Sequence, residues 1–106
     1  MSGETVSFAA ALWRWQGNGS GSWHFVSATG EAAQAISAHA LVDRLERGRR
    51  RGFGSVKVEA RIGDSRWATS VFPGSSGDWI LPVKAAIRKA EGLGEGDSAV
   101  VELELL

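Results

Sequence analysis

Lys84 and Arg88 stand one turn apart at the start of a predicted helix. The helix dipole disfavours a cation there, and like charges at this spacing repel by roughly 0.2–0.5 kcal/mol. A second like-charge pair is expected where Arg61 faces Arg66 across a predicted hairpin, on a polar face that also carries Lys57 and Ser70. Lys84, Arg88, Arg61, Arg66 and Ser70 therefore make a candidate site for a phosphate or carboxylate ligand, since cations and a hydroxyl converging on one point match those oxygens. Neutralisation by Glu59, Asp64, Glu91 or Glu95 is the competing expectation, because solvated ion pairs are common.

Other chemistry finds less to stand on. The two histidines, His24 and His39, have no nucleophile or acid placed beside them by spacing, and no His, Asp and Glu group has the spacing of metal ligands. There is no cysteine, which removes disulfides and thiolate sites together. The glycines from Gly92 to Gly96 lack the lysine and the following helix of a phosphate loop. The expectation is a protein that binds rather than catalyses, without metal or cofactor, its partner a small anion or another protein. Five tryptophans with no tyrosine could instead form a stacking platform. Core packing is expected for most of them, with Trp15 and Trp23, which flank a glycine loop, as the exposed pair.

With 12 Lys and Arg against 12 Asp and Glu, the net charge is +0, so no general landing surface for nucleic acid or anionic lipid exists. The exception is local. Arg47, Arg49, Arg50 and Arg51 crowd positive charge into one stretch, which makes nucleic-acid binding the alternative reading. No apolar run approaches the length of a membrane span and the N-terminus has no signal-like pattern, so the default compartment is the cytoplasm.

The elements that must position these residues fit one domain over 1–106. Alternation from Val6 to Trp15 predicts a strand, and a loop over Gln16 to Gly21 joins it to a second strand, Ser22 to Ser27. Thr29 as N-cap and Glu31 in the first turn begin a helix to about Leu45, with Ala38, Leu41, Val42 and Leu45 as its apolar stripe. Arg44 to Arg51 reads as a solvated loop. Val56 to Ile62 and Ser65 to Phe72 form a hairpin about Gly63-Asp64, pairing Ala60 with Trp67 and Val56 with Val71 on the core side. A short strand from Asp78 to Leu81 leads to a helix opened by Pro82, lined by Val83, Ala86, Ile87 and Ala90, and stopped at Gly92. The alternation of Ala99, Val101, Leu103 and Leu105 predicts the last strand. Six strands and two helices joined mainly by tight turns favour a small barrel over a parallel sheet.

The stretch TSVFPGSSGDWILPVKAAIRKAEGLGEGD, together with FAAALW, SWHFV and GFGSVKVEARIGDSRWATSVFP, resembles a bacterial and archaeal family of unknown function, sometimes found with YdeI/OmpD-associated bacteriocin-protection domains. Trp67, Thr69, Ser70, Phe72, Pro73, Leu81, Pro82, Lys84, Arg88, Gly96 and Asp97 match its pattern. The resemblance implies a mainly β fold with two helices, a small double-split β-barrel, and no established activity. The segment 38–52 looks like an insertion, a helix end followed by the arginine-rich stretch. WILPVKAAIRKAEGLGEGDSAVVEL is also similar to the strand-proline-helix-turn-strand unit of AbrB-type regulators, whose swapped dimers bind DNA. Trp23 to Val26 and the helix after it resemble a second, fainter copy. Two AbrB-like halves in one chain imply a monomer or weak dimer.

Overall fold

A computed structural model describes residues 4–15, 23–47 and 54–106. Its strands are β1 (Thr5–Ala11), β2 (Trp13–Trp15), β3 (Trp23–Ala28), β4 (Val56–Ile62), β5 (Ser65–Pro73), β6 (Trp79–Pro82) and β7 (Ser98–Leu105), with helices α1 (Gly30–Arg47) and α2 (Ala85–Glu91). The strands form one curled antiparallel half-barrel sheet in the order β1-β7-β4-β5-β6-β3-β2.

Two strands explain the curl. The nine residues of β5 pair with β4 from Ser65 to Val71, and then Phe72 and Pro73 turn to β6. The predicted first strand, Val6 to Trp15, is two strands broken at Leu12. There the backbone N–H donates to the Asp97 carbonyl at 2.9 Å, the carbonyl accepts from Gly96 N–H at 2.8 Å, and the side chain is 1% exposed. The segment thus pairs with β7 on one side of Leu12 and with β3 on the other, giving seven strands where alternation alone counts six.

The core lies inside the curl. Val58, Ala60, Val71, Val101, Leu103 and Leu105 are fully buried from the β7-β4-β5 wall. Val26 and Leu81 face them from β3 and β6. The β4–β5 register is the one that a two-residue turn demands: Ala60 opposite Trp67, Val56 opposite Val71, Arg61 opposite Arg66.

The helices depart from expectation. In α1 the buried residues are Ala32, Ala33 and Ile36, while Leu41, Val42 and Leu45 are 50%, 51% and 73% exposed. At about 100° per residue the two groups point to opposite sides of the helix, so the stripe that periodicity selects is the solvent-facing one. α1 also continues through Arg47, so Arg44 is helical and not part of a loop. Pro82 does not open α2. It is the last residue of β6, paired with Phe25, and the next N–H, of Val83, donates to the His24 carbonyl at 2.9 Å. That continued pairing delays the helix to Ala85 and leaves Lys84 as its N-cap rather than in its first turn. Val83 and Ile87 are buried but Ala86 and Ala90 are exposed, because a seven-residue helix meets the sheet along a narrow line. Gly92 stops α2 as expected, with φ 64° and a bond from Leu93 N–H to the Arg88 carbonyl at 2.8 Å.

Candidate functional site

Because successive residues of a strand point to opposite faces, burying Val26 and Ala28 in the core turns Trp23, Phe25 and Ser27 outward. Pairing extends that outward face sideways. Trp15 lies opposite Trp23, Trp13 opposite Phe25, Ile80 opposite Ser27, and Phe72 opposite Ile80. The result is a cleft of about 380 Å³ on the solvent side of β2, β3, β6 and β5, lined by Trp13, Trp15, Trp23, Phe25, Phe72 and Ile80.

Its geometry is set by contacts within the sheet. The Trp13 and Phe25 rings lie 4.9 Å apart at 36°, and Trp13 Nε1 donates to Ser27 Oγ at 2.9 Å. Trp15 and Trp23 remain 50% and 59% exposed and Phe72 37%. Among the described residues no charged side chain lines the cleft.

The reverse of the β2–β3 hairpin has the opposite character. Arg14 pairs with His24 there, and His24 Nδ1 is buried without a hydrogen-bond partner. Burial pushes the His24 pKa down, Arg88 and then Arg14 push it further in the same direction, and Glu95 opposes them. The imidazole therefore favours its neutral form.

The cations singled out in the sequence are distributed over separate places. Arg61 Nη1 lies 3.7 Å from Glu102 Oε1, Arg61 Nε donates to the Gly63 carbonyl at 3.1 Å, and Arg66 Nη1 lies 3.8 Å from Glu59 Oε1. These long, exposed pairs occupy a depression of about 100 Å³ lined by Thr5, Glu59, Arg61, Arg66, Glu102 and Glu104. Lys84, Arg88 and Ser70 are not among its lining residues. Ser70 is half-buried opposite Lys57, and Lys84 is exposed at the N-cap of α2. Arg88 is half-buried, its Nε donating to the Val83 carbonyl at 3.2 Å. Arg49, Arg50 and Arg51, and the Arg47 side chain, lie outside the described residues, as does the loop from Gln16 to Gly21.

Sequence reasoning picked Trp15 and Trp23 as the exposed pair, and they are. It assigned Trp13 to the core, whereas Trp13 is half-buried on the outward face; Trp67 and Trp79 are the buried ones, at 8% and 6% exposed. Phe25 and Ile80 carry no site expectation in the sequence, and Phe72 enters only as a match to the family pattern. The parity of Phe25 with Trp23 is a signal that could have found one of them, but Phe72 and Ile80 join the cleft only through the β5–β6–β3 pairing, which spans distant parts of the chain.

Among the described residues no group of three His, Asp or Glu side chains could hold a metal ion, and no helix is long and apolar enough to cross a membrane. No protein with a curated description matches the chain. The family described as a domain of unknown function, DUF1905, matches residues 8–103, nearly the whole chain, which therefore belongs to that family.

Proposed function

We propose that this chain is a non-enzymatic binding module whose site is the aromatic cleft on the outer face of β2, β3, β6 and β5. The observation that carries the reading is that six apolar side chains from four strands meet at one cleft and stay open to solvent. A sheet face usually turned to water is polar, and a pocket with apolar walls is the common form of a small-ligand site. This reading puts the site at the tryptophans rather than at Lys84 and Arg88.

A second reading, a small anion held by Lys84 and Arg88 with Arg14, is favoured by one observation: Arg14 lies opposite His24, whose Nδ1 is buried without a hydrogen-bond partner and whose carbonyl accepts from the N–H of Val83, the residue before Lys84. The accompanying fold reading is a double-split barrel with AbrB-like halves. It is supported by the antiparallel pairing of β3 with β6, each of which leads into a helix.

Titrating a set of small organic fragments and inorganic phosphate into isotopically labelled protein tests both readings. Shifts clustered on Trp13, Trp15, Trp23, Phe25, Phe72 and Ile80 support the cleft. Shifts by phosphate clustered on Arg14, Lys84 and Arg88 support the second reading instead, and silence at the cleft with every fragment removes the first.

A further inference from the structure

We infer that the cleft takes a planar, uncharged fused-ring molecule, held flat against the tryptophan faces with one edge left in water. The inference rests on the cleft being the binding site, and adds what kind of molecule it selects. Three properties of the lining decide the class.

The first is polarity. All six lining side chains are apolar or aromatic, and the Trp13 N–H is already committed to Ser27 Oγ at 2.9 Å. Beyond the indole N–H groups of Trp15 and Trp23 the lining offers no polar side-chain group to the several hydroxyls of a sugar, and an anion finds no cation among the lining residues. The second is shape. The cleft follows three rows of side chains, Trp15 with Trp23, Trp13 with Phe25, and Ile80 with Phe72, about 6.6–6.8 Å apart along the strands. A fused two- or three-ring system spans two such rows. The volume of about 380 Å³ lies near the low end of the roughly 300–1,000 Å³ of ligand pockets, so the cleft suits a small ring system.

The third property sets aside the nearest rival, a quaternary ammonium ion, which aromatic faces also attract. Among the described residues no carboxylate lines the cleft, so a cation leaving water finds no counter-charge there. A neutral ring needs no such partner and a cation does.

The test compares 2-naphthol, methyl glucoside, tetramethylammonium and inorganic phosphate, following the indole N–H resonances of Trp15 and Trp23. 2-Naphthol is expected to shift both saturably and at lower concentration than the other three. Trp15→Ala and Trp23→Ala should each weaken it at least tenfold, and Trp15→Phe should restore most of the loss. Both side chains are half exposed, so the amide spectrum should otherwise persist. Methyl glucoside or tetramethylammonium acting on these resonances below the naphthol concentration overturns the ligand class while leaving the cleft as the site. If none of the four moves them, or naphthol binding survives both alanine variants, the class and the site fall together.

Discussion

Trp13 Nε1 and Ser27 Oγ are joined by a 2.9 Å hydrogen bond that runs diagonally from β2 to β3, two residues beyond the direct neighbour Phe25. The bond lays the indole along the hairpin and fixes one wall of the cleft. Ser27→Ala leaves the part-buried N–H without this acceptor and is expected to cost about 1 kcal/mol in urea unfolding. The Trp13 indole resonance should move in the same variant while those of the buried Trp67 and Trp79 hold. A Trp13 resonance unchanged by Ser27→Ala would mean that the bond does not order the ring in solution.

Gly63 sits at the β4–β5 turn with φ 58°, and a Cβ placed there would meet the Glu91 carboxylate. That carboxylate accepts a 2.6 Å hydrogen bond from Ser65 Oγ, which ties the turn to the end of α2. Gly63→Ala should therefore cost more than the left-handed backbone alone, about 2 kcal/mol or more when the lost Ser65 contact is added. Glu91→Ala in the same chain should relieve the collision but not the backbone strain. The double variant is then more stable than the two separate losses would sum to, a non-additivity that urea unfolding of all four proteins reads directly.

The outer half of α1 carries Leu41, Val42 and Leu45 on the side opposite Ile36, which is 0% exposed. Leu41→Gln and Leu45→Gln should each change stability by no more than about 0.5 kcal/mol. Ile36→Ala should cost about 2–5 kcal/mol, since it empties a packed position. Equal losses for Leu45→Gln and Ile36→Ala would place the sequence-derived stripe against the core after all.

These contrasts show which features a sequence can carry. The β4–β5 register was legible because Gly63-Asp64 fixes a two-residue turn, and every pairing from Ile62 with Ser65 to Val56 with Val71 follows from it. The α1 stripe was misread because leucines are the strongest periodic signal, whereas the face against the sheet is made of the small residues Ala32 and Ala33 and one isoleucine. Small residues permit close approach but barely register as a pattern. The break at Leu12 depends on Gly96 and Asp97, more than eighty residues away in the chain, and local alternation contains no trace of it. The cleft was half legible for the same reason: Trp15 and Trp23 belong to one hairpin, but Phe72 arrives from β5 only after that strand changes partner.

His24 gives the fold a pH dependence whose sign can be worked out. Its Nδ1 is buried without a partner, and burial, Arg88 and Arg14 together lower its pKa from the ordinary value of about 6.5. The unfolded chain therefore binds a proton here before the folded chain does. The contribution to stability is intact above about 6.5, where the ring is neutral in both states, and is lost progressively as the pH falls below that value toward the folded pKa. Thermal unfolding should show a midpoint that declines from pH 7 to pH 5. His24→Gln, which cannot be protonated, should flatten that decline. The β2–β3 hairpin carries four of the six cleft residues, so the indole resonances of Trp15 and Trp23 should shift with the same midpoint as the His24 ring. A ring that titrates at or above its ordinary value, or indole resonances indifferent to it, would disconnect His24 from the cleft.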